Sequence, residues 1–313
     1  MVRGVGIAIQ LVALSIFLAA CGETGHTPID EVRKDPVVVF AAFEDDSELR
    51  ELMASYTEAS GVRVIIRRGG AQRIVDELIE NKISPPADVL MTHSVVDVWR
   101  AAEEGALRAI QSETIQKRLP AWSQDPDNLW ASTDFRTAVV IYDAATVFVD
   151  DATGYASLAE SQFEGGLCMS SSINPINQVV IAMLIDELGV RETQTIVRGW
   201  MKNLAAPVFR TESEVLAEIA TGLCKIGLVS SAAAAATDLP VHFPAAAFAD
   251  VDGIGIGRHA SNPAGALALL EWLIARSPET NIGKSADVSK KNVGLVGWHQ
   301  DDVALLAERV QYH

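Results

Sequence analysis

The stretch at residues 36–91, PVVVFAAFEDDSELRELMASYTEASGVRVIIRRGGAQRIVDELIENKISPPADVLM, decides the fold class. Its apolar run at 37–42 suits a strand buried on both faces. Residues 47–60 then place Leu49, Leu52, Met53 and Tyr56 at helical spacing, and 62–66 return to strand. A helix opening at Gly69-Gly70 puts Ile74, Val75, Leu78 and Ile79 on one side, 87–91 form another buried strand and 95–105 another helix. Strands alternating with helices at this spacing predict parallel sheet covered on both faces.

A second set follows. Residues 139–142 read as strand, 178–188, 192–203 and 213–222 as helices, and 225–229 as strand. The segments 241–244 and 252–257 lead to an amphipathic helix at 264–275. The reading is α/β with two lobes: residues 37–137 plus 240–313 in the first, 138–239 in the second. With 313 residues, 49% of them hydrophobic, the chain can bury real cores. Its 25 Lys and Arg against 41 Asp and Glu leave a net charge of −16. Such an acidic surface repels phosphate backbones, which excludes nucleic acid as a partner, and disfavours anionic membrane surfaces.

The beginning of the chain offers another route to a membrane. Arg3 precedes an apolar run at 5–20, and the run closes on Leu18-Ala19-Ala20-Cys21-Gly22. A run this short has the shape of an export signal rather than a spanning helix. The closing residues resemble the lipobox of bacterial lipoproteins, which implies cleavage after residue 20, lipid on Cys21 and a polar tether over 21–36. The alternative is an ordinary signal peptide with a cysteine at its cleavage site. Either way the destination is oxidising, and of the three cysteines Cys168 and Cys224 are left as a pair. A bridge between them would contribute about 4 kcal/mol in the chain-entropy model; two unrelated buried thiols are the other reading.

Several segments in order resemble the ferric-iron-binding periplasmic proteins that serve ABC importers. They are Val38-Val39-Phe40-Ala41-Ala42-Phe43, Arg68-Gly69-Gly70, Pro86-Ala87-Asp88-Val89-Leu90-Met91-Thr92 and Val98-Trp99-Arg100-Ala101 followed by Glu104-Gly105-Ala106-Leu107. Gly166-Leu167-Cys168-Met169-Ser170, Asn174-Pro175-Ile176-Asn177-Gln178, Gly199-Trp200-Met201, Thr221-Gly222-Leu223-Cys224-Lys225-Ile226-Gly227-Leu228-Val229 and His259-Ala260-Ser261-Asn262-Pro263 continue the series. The resemblance spans most of 36–278 and leaves the tail poorly matched. It implies a type II periplasmic-binding-protein fold with a ligand cleft at the hinge, an ABC permease as partner, and a bond between Cys168 and Cys224. The family holds its iron mainly through tyrosines, and their positions fall at Phe40, Ile176, Ala232 and Ala233.

Those replacements predict a wider, more apolar cleft and a small organic molecule carrying an anionic group as cargo. Its charged end would meet Arg136, a guanidinium fork suited to carboxylate or phosphate, and the helix terminus at Gly70. Its body would lie beside Ile176 and Ala232. Phe43, Ser171, Asn174, Ser230 and Ser231 complete the expected lining, and a surface ion pair with Asp134 is the competing reading of Arg136. A metal held by Glu44 and His93, with Asp45 nearby, is the second reading of the cargo; a sensor or partner-binding lipoprotein is the third. Enzyme motifs are absent: Gly253-Ile254-Gly255-Ile256-Gly257 lacks dinucleotide spacing, and no nucleophile elbow, Walker loop or zinc-protease helix occurs. The expectation is a binding protein without catalytic residues or cofactor.

Overall fold

The computed structural model describes residues 35–43, 47–81, 84–276 and 288–313. The export signal, Cys21, the tether up to residue 34, and Glu44 and Asp45 lie outside the described residues.

The first lobe grows from β1 (Val37–Ala42), α1 (Ser47–Ser60), β2 (Val64–Arg68), α2 (Ala71–Glu80), β3 (Val89–Thr92) and α3 (Val95–Glu103). β1 pairs in parallel with β2 on one side and β3 on the other. All six β1 residues are buried, because alternate side chains enter two different cores: Val38, Phe40 and Ala42 one, Val37, Val39 and Ala41 the other. That double burial is why the run carries no polar alternation.

After β4 (Leu107–Arg108) and α4 (Glu113–Arg118) comes the long strand β5 (Trp130–Tyr142). The late strand β9 (Ala249–Gly257) inserts antiparallel between β3 and β5, completing the order β2-β1-β3-β9-β5. The Gly253, Gly255 and Gly257 alternation serves close packing: a Cβ there would meet Val98, Leu107 or the Ala87 carbonyl within 2.8 Å. α9 (Pro263–Arg276) covers this sheet.

β5 then leaves the first sheet. Its far half pairs antiparallel with β7 (Ile226–Ser230), which pairs in parallel with β6 (Leu167–Cys168), and β8 (Val241–His242) covers the other edge of β5. α5 (Pro175–Leu188) is buried on nearly every side, so its sequence is apolar without a polar stripe. α6 (Val190–Asn203) packs on α5, and α7 (Glu212–Ala220) and α8 (Ser231–Ala234) flank β7. Cys168 and Cys224 are disulfide-bonded with Cα atoms 5.8 Å apart, beside Val215 and Ile219. This is the two-lobed type II periplasmic-binding-protein arrangement, with β5 and β9 as the strands that run between the lobes.

Two boundaries differ from the sequence reading. The expected strand at 139–142 begins at Trp130, since the hinge portion WASTDFRT is only partly buried, carries a register shift between Ser132 and Asp134, and so lacks an apolar signature. The tail, assigned with 240–313 to the first lobe, ends on the second. α10 (Gly294–Trp298) touches both α3 and α5, and α11 (Gln300–Val310) lies on α5 and α6. Val303, Leu306, Ala307 and Val310 seat it, at a spacing that gives one apolar helix face.

Candidate functional site

The carboxyl ends of β1 and β3 bring Phe43 and His93 together where β5 crosses to the second lobe. The two rings stack with centroids 3.9 Å apart. His93 Nδ1 lies 3.2 Å from Asp252 Oδ1, and the imidazole is 56% exposed. Arg136, on β5 opposite Asp250 of β9, donates to Asp250 Oδ2 at 2.6 Å, to Asp252 Oδ1 at 2.7 Å and to the His93 carbonyl. Asp250 is fully buried, and its second oxygen accepts from the Val95 N–H at 2.9 Å, where a carboxylate faces the positive end of α3. Asp250 and Asp252 reach the same guanidinium because residues two apart on a strand share a face.

Burial works against every charge in this cluster, and the contacts answer it. Burial would lower the Arg136 pKa, but the pull of Asp250 and Asp252 raises it, so the guanidinium stays charged. Burial lifts the Asp250 carboxyl, opposed by Arg136 and the Val95 N–H. Burial also acts upward on Asp252, yet hydrogen bonds from His93 and Arg136 carry it below its ordinary value. Two carboxylates around one guanidinium leave the site a surplus of negative charge. Arg136 is therefore occupied, and its partners are Asp250 and Asp252 rather than Asp134, whose carboxylate accepts from the Phe135 N–H. The sequence reading gave it an anionic ligand; its own chain already supplies two.

On the second lobe, Ser231 Oγ accepts from the Thr137 N–H at 3.1 Å, beside Arg136. Ser230 is buried and donates through both its N–H and its hydroxyl to the Glu212 carboxylate at 2.7 and 2.8 Å, while its hydroxyl accepts from the Ala233 N–H. Ala232 is exposed and Ala233 half-buried. Ser231 thus sits on the backbone next to Arg136, with Ser230 beside it.

The other expected residues are elsewhere. Ile176 is 2% exposed and packs in the main core, so it lines no cleft; its place in the buried α5 decides this. Phe40 is likewise in the core. Asn174 caps α5 through the Ile176 N–H, and Ser171 accepts from Ile173 at 3.4 Å and, through its carbonyl, from Asn177. Gly70 is exposed at the start of α2, beside a groove of about 500 Å³ that Asp76, Glu77 and Glu80 also line. Arg73 lines it as well, and Asp76 pairs with Arg100 and Glu77 with Arg67 and Arg73, so these charges are already matched within the chain.

None of the four tyrosines supplies a tyrosinate to this site. Tyr56 packs edge-on against Trp272, and Tyr142 ends β5. Tyr155 donates to the Ala138 carbonyl and accepts from the Phe248 N–H, and burial pushes its phenol far up. Tyr312 donates to the Ser170 carbonyl at 2.6 Å and is raised likewise by burial. Both phenols keep their protons. Among the described residues, no group of three His, Cys, Asp or Glu side chains converges as a ready metal cage.

Asp250, Asp252 and Glu212 escaped the sequence reading. The Asp-x-Asp alternation ahead of the glycine strand was the available signal for the first two; Glu212 reads simply as an acidic first turn, and its role depends on tertiary placement.

A strand order of this kind is that of the two-lobed type II periplasmic-binding-protein fold. No family model matches the chain. It is 24% identical over 300 residues to iron uptake protein A1 of Synechocystis, covering 90% of this chain and 83% of that protein. The solved Trichodesmium IdiA/FutA in complex with iron and citrate superposes with a TM-score of 0.80 at 24% identity, covering 89% of this chain and all of that one. Apo FutA2 of Synechocystis gives 0.76 at 20%, over 90% of this chain and 99% of its own. The first two of these names carry iron, in line with the resemblance of the sequence segments.

Proposed function

We propose that this protein is the solute-binding component of an ABC importer, carrying iron that arrives as an anion-bound chelate. The carrying observation is the Asp252–His93 pair on the partly exposed first-lobe rim. A carboxylate accepting from Nδ1–H fixes the tautomer and presents Nε2 as a metal donor, the arrangement that orients ligating histidines in metal sites. Arg136 is fully paired with Asp250 and Asp252, so its guanidinium is not open to a free organic anion. One imidazole and a nearby carboxylate fill only part of an iron coordination shell, so the chelating anion supplies the rest, and Glu44 is the further first-lobe candidate. The relative crystallised with iron and citrate supports this reading over the organic-anion cargo expected from the sequence. The apolar leader and Cys21 make the same protein a lipid-anchored one outside the cytoplasm; among the described residues, no helix is long and apolar enough to cross a membrane.

Equilibrium dialysis against ferric citrate and against citrate alone tests the cargo. Iron retained with citrate, and lost in His93→Ala, is the expected result. Citrate binding equally well without iron would overturn the reading in favour of an organic anion.

A further inference from the structure

The main chain joins the lobes a third time, outside the β5–β9 pair. Residues 288–313 begin on the first-lobe side: Ser289 donates to the Ala247 carbonyl, the Asn292 amide donates to the Ala121 and Gln124 carbonyls at 3.0 and 2.9 Å, and the Val293 N–H donates to the Trp122 carbonyl. α10 then lies between α3 and α5. Its Gly297 is flush against the Trp99 indole, where a Cβ would come within 2.3 Å of the ring, and Gly294 faces Trp130 and Trp99. The segment ends on the second lobe with α11 and the buried Tyr312 hydroxyl on Ser170.

Close packing holds the strap on both sides, α10 against Trp99 on the first lobe and the buried face of α11 against α5 and α6 on the second. One tie is of another kind. Lys291 pairs with Asp186 and Glu187 at the end of α5, and His299 Nε2 lies 3.9 Å from Asp186. The Lys291 side chain is 34% exposed and those of Asp186 and Glu187 are 27% and 38% exposed. Partly solvated ion pairs break and reform cheaply, whereas an indole seated on a glycine admits no slack. Two neighbouring strands can bend and twist by small backbone changes, but a third tie outside them restricts the axis of motion.

We infer that residues 288–313 are a strap governing how the lobes move, with α10 fixed on Trp99 and the Lys291–Asp186/Glu187 contact as its releasable latch. The latch holds the lobe arrangement seen here, and its loss admits a second one. This inference does not depend on what the cleft carries.

Pulsed electron spin measurements on the full chain without ligand test it, with keto-bearing labels at the exposed positions 104 and 198, one on each lobe. Lys291→Ala, and separately Asp186→Asn with Glu187→Gln, should raise the population of a second interlobe distance about two- to fivefold, the range of one exposed ion pair. Lys202→Ala, which removes an ion pair to Glu164 away from the strap, serves as the control and should leave the distribution unchanged. Distributions identical to the parent in both latch variants, with the fold intact by circular dichroism, would overturn the inference. So would an equal change in the control.

Discussion

The two rims of the hinge solve the same problem with different chemistry. On the first lobe, Arg136, Asp250, Asp252 and His93 form a charged, buried to half-buried network that reaches into the start of α3. On the second, Ser230 donates to the Glu212 carboxylate and Ser231 accepts from the Thr137 N–H, while Ala232 and Ala233 bring no side-chain donor atom. On the proposed reading the exposed metal donor, His93, belongs to the first side. A ligand gripped by one lobe and merely enclosed by the other must bring much of its own coordination shell, which is the physical reason for favouring a chelate over a bare ion.

The contrast breaks most sharply at Asp250. Asp250→Ala removes one carboxylate from Arg136 and the acceptor from Val95, and should cost about 3–5 kcal/mol in urea unfolding. A loss below about 1 kcal/mol would mean that the first rim is not held by its charges. The second lobe instead relies on sulfur and packing. Cys168→Ser with Cys224→Ser should cost about 2–4 kcal/mol, read by the same unfolding.

A third variant separates charge that supports the first rim from charge that strains it. Burial and the neighbouring Asp250 lift the Asp97 carboxyl from 3.8 to about 6, against the pull of Arg100. Below the ordinary value both folded and unfolded forms are protonated. Between the two values the unfolded chain loses its proton while the folded one keeps it, so stability falls as pH rises through this window and stays lowered above it. Asp97→Asn should therefore raise stability at pH 7 by about 1–3 kcal/mol and flatten the profile between about pH 4 and 6. The smallest effect belongs to the second rim: Ser231→Ala, which strands the Thr137 N–H, should cost about 1 kcal/mol.

The core strands were legible because burial on both faces writes itself as an unbroken apolar run, as at Val37 to Ala42. α11 has regular apolar spacing at Val303, Leu306, Ala307 and Val310, but it lies in the tail, beyond the segments that carry the resemblance. The site was legible in part. Phe43 stacks on His93 and Arg136 reaches the His93 carbonyl, but a basic residue in a sequence does not reveal whether its own chain neutralises it. Arg136 depends on Asp250 and Asp252, more than a hundred positions away and brought opposite by strand register alone. Ile176, expected beside the ligand, is instead a core residue of α5, surrounded by apolar side chains.

The central claim, iron held without tyrosinate, is tested most directly by the visible spectrum and metal content of protein loaded with ferric citrate and passed through a desalting column. The account predicts about one iron per chain, no tyrosinate-to-iron charge-transfer band, and an affinity reduced about 10- to 100-fold in Asp252→Asn. Protein that emerges without iron, or with a strong charge-transfer band that a chelator abolishes, would contradict it.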